Sequence, residues 1–185
     1  MELEFEVARR GIDPAAATCE HALRDLLGLA LAGVERAELW RFDAGPVGEA
    51  ERAGLCDRLA RAASFSGRYV NPNRDRARWL AGPRPYDRGA CARGCAVDVW
   101  VRDGDGEDAE ALHYFRTQAH SGLVQVWRGT LWRLYLPVVD PLAAREQALE
   151  IAVTRARRHG LLANPHAQTA VVLHVVEGPG TKETV

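Results

Sequence analysis

The chain has 185 residues, room for one ordinary domain or two small ones, and its 47% hydrophobic and 26% charged content excludes a disordered or fibrous class. A formal net charge of −1 excludes bulk attraction to nucleic acid or to an anionic membrane as its organising principle. No apolar run approaches the roughly 18 residues that a bilayer span needs. Glu2 and Glu4 stand where a secretory signal would be basic, and four cysteines are too few for a disulfide scaffold, so a cytoplasmic setting is expected.

Glu4 to Val7 reads as an opening strand. Asp13-Pro14 starts a helix, with Asp as the cap and Pro at the first helical position. Cys19, Ala22, Leu23, Leu26, Leu27 and Ala30 follow at helical spacing, which predicts one apolar stripe and an end at Gly33. Val34 to Phe42 is a strand, Glu49 to Ala63 a second helix with Ala53, Leu55, Leu59 and Ala62 on its stripe, and Ala77 to Leu80 a weakly marked strand. Residues 81–95 are rich in Gly, Pro and Cys and read as a connector.

Ala96 to Val101 alternates as a strand, and the Gly104/Gly106 segment is a turn. Glu107 to His120 is a helix carrying Leu112, Phe115 and Ala119. Leu123 to Arg128 and Leu131 to Val138, separated by Gly129-Thr130, read as a hairpin with a two-residue turn. Asp140-Pro141 repeats the cap-and-proline start, for a helix through Ala144, Ala148, Leu149, Ala152 and Val153 toward Gly160. Thr169 to Val176 is a β-branched strand. The order is β-α-β-β-α-β, two helices against an antiparallel sheet.

The two halves repeat one another. A shift of 89 lays Ala22-Leu23 on Ala111-Leu112 and Gly33-Val34 on Gly122-Leu123, and a shift of 93 lays Asn71-Pro72 on Asn164-Pro165. The predicted fold is therefore α+β: two ferredoxin-like units, each a two-layer sandwich with an antiparallel sheet, forming a pseudo-dimer. Their bounds are residues 1–82 for a divergent first copy, 83–94 for a linker, 95–178 for the second copy and 179–185 for a flexible tail. Two small copies with sheet edges to cover favour function by association over function in a single pocket.

The string from Gly122 through Gly129-Thr130 to Leu134, together with Leu161-Leu162-Ala163-Asn164-Pro165 and with Asp13-Pro14 and Ala22-Leu23, resembles the small S subunit of phosphoribosylformylglycinamidine synthase (formylglycinamide ribonucleotide amidotransferase). Thr130 stands where that family commonly has a basic residue, and its typical members are single units rather than tandem pairs. The resemblance implies a non-catalytic subunit of de novo purine biosynthesis that bridges a synthetase subunit and a glutaminase subunit. An internal pseudo-dimer would replace the family's homodimer, with further homo-oligomers open. The alternative is a ligand-binding or enzymatic tandem ferredoxin-like protein unrelated to purine synthesis.

Among chemistry-bearing residues, Trp127 and Trp132 flank the expected hairpin turn beside Arg128 and Arg133, and Trp40 lies near the related place in the first copy. Aromatics beside arginines anchor interfaces, and core packing is the equal alternative for these five. They would also suit a single-stranded RNA platform, which the net charge disfavours. His166, in the loop after Asn164-Pro165, is the candidate for a small-molecule contact. Cys91 and Cys95 have a spacing a zinc pair allows, but further ligands are not marked, and free cysteines are expected, with no metal and no cofactor. The acidic group Asp103, Asp105, Glu107 and Asp108 reads as a turn and helix start, and Arg155, Arg157 and Arg158 as a basic helix end. No catalytic set is marked, and Lys182, the one lysine, lies outside the fold.

Overall fold

In a computed structural model, the described residues are 1–65, 67–86, 93–104, 106–153 and 161–179. The fold is mixed α+β. Its strands are β1 (Glu2–Arg9), β2 (Gly33–Asp43), β3 (Asp75–Leu80), β4 (Cys95–Asp103), β5 (Gln125–Leu136) and β6 (Gln168–Glu177). Its helices are α1 (Pro14–His21), extended by a π-helical turn over Ala22–Leu26, α2 (Glu49–Phe65), α3 (Ala109–Gln118) and α4 (Pro141–Ala152). The strands form one antiparallel sheet in the order β3-β1-β2-β5-β4-β6.

Aspartates start three of the helices. Asp13 accepts from the Ala15 N–H before Pro14, Asp140 from the Leu142 and Ala143 N–H groups before Pro141, and Asp108 from the Ala111 N–H. Each satisfies a donor that the first helical turn leaves unmet. The first helix ends sooner than its stripe predicts: Gly28, at φ 68°, takes a backbone conformation that terminates helices.

The chain divides into two compact units, each drawing on both halves of the sequence. Unit 1 comprises Met1–Gly11, Ala37–Ala81 and Gly106–Gly129, and unit 2 comprises Ile12–Arg36, Gly82–Asp105 and Thr130–Val185. In unit 1, Leu3, Phe5 and Val7 of β1 and Trp40 and Phe42 of β2 pack with Leu55, Leu59 and Ala62 of α2 and Ala111 and Phe115 of α3. Phe115 meets Phe42 edge to face at 5.1 Å and Trp40 at 6.0 Å. In unit 2, Cys95, Val97, Val99 and Val101 of β4 and Leu134 and Leu136 of β5 pack with Cys19 of α1 and Ala144, Ala148 and Ile151 of α4. Strand period 2 puts alternate residues on the core, as Leu3, Phe5 and Val7 of β1 show, whereas β4 is buried on both faces, with Ala96 and Trp100 opposite the core valines.

The expected hairpin at Gly129-Thr130 does not form. β5 runs unbroken through it, and Thr130 pairs with Val101 of β4. A two-residue turn that begins with glycine needs positive φ at that glycine, and Gly129 is not among the positive-φ glycines. With one strand there instead of two, residues 95–178 have the order β-α-β-α-β, the same as residues 1–82.

The turns before β3 and β6 share one hydrogen-bond pattern. The Asn71 carbonyl accepts from the Arg74 and Asp75 N–H groups, its side-chain oxygen accepts from the Asn73 N–H, and its own N–H donates to the Asp75 carboxylate. The Asn164 carbonyl accepts from the Ala167 and Gln168 N–H groups, its side-chain oxygen from the His166 N–H, and its N–H donates to the Gln168 side chain. All four bonds correspond, residue for residue, at the shift of 93 that aligns the two Asn-Pro pairs.

Candidate functional site

In unit 2, alternation along β5 sends Leu134 and Leu136 to the helices and leaves Arg133 and Tyr135 on the other face, both fully buried. Asp98 of β4 lies directly opposite Arg133, and His174 of β6 directly opposite Asp98. Arg133 Nε and Nη2 donate to the two Asp98 oxygens at 2.7 and 2.8 Å. Its Nη1 donates to the Pro85 carbonyl at 2.8 Å, and Nη2 also donates to the Arg84 carbonyl at 3.0 Å. Burial alone would lower the pKa of this guanidinium, but the paired bonds and charge of Asp98 reverse that and hold it above the ordinary arginine value. Beside it, Arg84 pairs with Glu35 of β2, whose other oxygen accepts from the Tyr135 hydroxyl at 2.8 Å. Tyr86 meets Tyr135 edge to face at 5.5 Å.

This network fixes the segment 84–86 against the sheet. Four donor contacts from one planar fork define both distance and orientation, which a lysine could not do. Arg133 is thus spent inside unit 2 and is not an exposed interface anchor. His174 Nδ1 stands 3.9 Å from Asp98, too far for a hydrogen bond; with both Asp98 oxygens held by Arg133, the pair is not arranged as a general-base dyad.

In unit 1, Trp40 is buried in the aromatic core, so it too does not present a surface. Arg128, about half-exposed, lies over its ring with the guanidinium carbon 4.8 Å from the centroid, and donates to Glu38 at 2.8 Å. Asp108 stands 3.9 Å from the same guanidinium. Burial would lower the Arg128 pKa, and the Glu38 bond and charge raise it above the ordinary value. Tyr69 packs edge-on to Trp40 at 5.2 Å, and burial pushes its hydroxyl pKa up. Among the described residues, Glu38 Oε1, Trp40 Nε1 and the Tyr69 hydroxyl are buried without a hydrogen-bond partner, whereas buried polar groups are usually paired.

Of the other sequence candidates, Trp127 of β5 is partly buried and bridges to Glu107. Trp132 is partly buried against the unit 2 core, with Arg36 5.8 Å from its ring centroid. His166 is exposed and takes the third place of the Asn164 turn. Unit 1 therefore holds Trp40, Trp127 and Arg128, and unit 2 holds Trp132, Arg133 and His166. Cys95 is buried and free. Cys91, Asp105, Arg155, Arg157 and Arg158 lie outside the described residues. Among the described residues, no three His, Cys, Asp or Glu side chains are placed to hold a metal ion, and no helix is long and apolar enough to cross a membrane.

Two features had only faint sequence signals. Asp98 interrupts the run Ala96-Val97-Asp98-Val99-Trp100, and a lone carboxylate in such a strand needs a buried cation. The second is a groove of about 280 Å³ in unit 1, lined by Arg58, Arg61, Ala62 and Phe65 of α2 and Tyr114 and Gln118 of α3. Phe65 is 89% exposed there. Compared with models of known protein families and with curated proteins, the chain matches none.

Proposed function

We propose that the chain is a non-catalytic assembly subunit that bridges two other proteins. The partners implied by its sequence resemblance are the synthetase and glutaminase components of phosphoribosylformylglycinamidine synthase, in the cytoplasm. On this reading the chain is a covalent pair of S-subunit-like copies, an internal pseudo-dimer. One observation carries it: each copy has the order β-α-β-α-β, and the sheet order β3-β1-β2-β5-β4-β6 reads the same from either end once β4, β5 and β6 are matched to β1, β2 and β3. Such a palindrome is what two copies of one unit give when joined through their second strands. A duplicated unit offers two related surfaces, one for each of two partners. The charged side chains best placed for chemistry are already engaged, Arg133 by Asp98 and the Arg84 and Pro85 carbonyls and Glu35 by Tyr135 and Arg84, which suits a scaffold.

The test is reconstitution. Purified chain, synthetase component and glutaminase component are mixed with ATP and glutamine, and their co-elution is followed by size-exclusion chromatography with light scattering. The expected result is a ternary complex that falls to unassociated components when this chain is omitted. Separate elution of all three with substrates present would refute the reading.

A further inference from the structure

We propose that the groove between α2 and α3 of unit 1 is a docking site for an acidic segment of one of the bridged components, a segment that places an aliphatic or aromatic side chain beside an Asp or Glu. This inference rests on the bridging reading and locates one of its two contact surfaces.

Three properties of the groove define that occupant. The first is its shape. At about 280 Å³ it lies just below the roughly 300–1,000 Å³ range of small-molecule pockets, a size that takes one or two side chains of a protein segment.

The second is the apolar anchor. Arg58, Arg61 and Phe65 recur at helical spacing along α2, and Phe65 stands almost wholly exposed while Leu55, Leu59 and Ala62 turn inward to the core. Phe65 falls outside the buried stripe that holds the helix in place, so folding does not require an aromatic ring there. An exposed aromatic at the rim of a groove is a ready anchor for an interface. The floor is firm: the Tyr114 hydroxyl donates to the Ala62 carbonyl at 2.8 Å, tying α3 to α2 under the groove.

The third is charge. The lining holds two arginines and no acid. Arg58 is held by its Nε, which donates to the Ala119 carbonyl at 3.2 Å. Arg61 has no partner among the described residues, although Asp57 lies one turn before it on the same helix. A carboxylate entering beside Phe65 would meet a guanidinium fork suited to paired hydrogen bonds.

The experiment measures affinity of the full chain for each purified component by biolayer interferometry, at low and high salt. The variants are Phe65→Ser and Arg61→Glu, both at exposed positions, with urea midpoints confirming an unchanged fold. Phe65→Leu serves as the conservative control. The expected result is a loss of about tenfold or more in affinity for one component with each disruptive variant, near-normal binding by Phe65→Leu, and unchanged affinity for the other component. Wild-type binding to that first component should weaken with salt, and Arg61→Glu should reduce this dependence. If the wild type binds both components and the variants bind them equally well, the groove assignment is overturned and bridging stands. If the wild type binds neither, both readings fall.

Discussion

Removing one partner of the Asp98–Arg133 pair tests whether this network sets the stability of unit 2. In Asp98→Ala, a fully buried guanidinium keeps only the Arg84 and Pro85 carbonyls as acceptors. Breaking a buried ion pair from one side costs about 3–5 kcal/mol. Arg133→Met leaves the Asp98 carboxylate without its cation and also orphans those two carbonyls, each worth about 1–3 kcal/mol if water does not reach it, so it should cost at least as much. For a chain of this length about 2–4 °C of melting temperature accompanies each kcal/mol, which predicts a fall of roughly 6–20 °C for either single variant. The double variant Asp98→Ala/Arg133→Met strands no charge and should cost clearly less than the sum of the singles, with a coupling of about 3 kcal/mol. Urea unfolding followed by tryptophan fluorescence reads all four proteins, since Trp100 and Trp132 lie in unit 2. Additive single effects, with coupling under about 0.5 kcal/mol, would refute the network as a stabilising unit.

Other positions make separate demands. Gly94 sits at φ 121°, and a Cβ there would lie 2.2 Å from the Leu136 carbonyl oxygen, so Gly94→Ala should lower the melting temperature sharply or prevent soluble expression, whereas Gly82→Ala, at φ 119° but with open space around it, should cost less. The hydrogen bond from Arg74, opposed in part by burial and aided by the Asn71 N–H, holds the Asp75 carboxyl below its ordinary value. Its folded pKa is depressed, so its stabilisation is complete above the unfolded pKa of about 3.9 and fades as pH falls through the folded value. The melting-temperature gap between wild type and Asp75→Asn should be full at pH 7 and shrink below about pH 4. Burial, with a smaller push from Glu20, raises the Cys19 thiol to about 11, so at pH 8 its alkylation, mapped by mass spectrometry, should be slow in the native protein and accelerate in urea.

Local chemistry was well marked in the sequence. Asp13-Pro14 and Asp140-Pro141 announced two helices because the capping oxygen and the fixed proline φ act over three residues, and β6 followed from a β-branched run. The misread hairpin at Gly129-Thr130 shows the limit, because glycine in an alternating strand and glycine in a turn have the same composition. Pairing of Thr130 with Val101 is a long-range fact that no window around residue 130 contains. The arginines illustrate the same limit at the candidate site. Arg128 and Arg133 looked alike beside their tryptophans, yet one lies over Trp40 and the other is enclosed by Asp98 and two carbonyls. Strand parity and the partner across the ladder decide between those fates. The α2–α3 groove escaped notice because it needs two helices brought together from residues far apart in the chain.

On the proposed duplication, the paired Asn71 and Asn164 turns keep a repeat legible while its copies drift. A core position asks only for volume and greasiness, so Leu, Val, Phe and Trp can replace one another there and blur any ancestral register. The asparagine in each turn must supply an acceptor at one particular spot on its own backbone, a role few side chains share. Asp75 and Gln168, unlike in charge, still fill the same answering place. A polar turn signature of the form Asn-Pro followed by an acid or amide three places later is therefore a steadier ruler than hydrophobic alignment for finding single-copy counterparts of this chain.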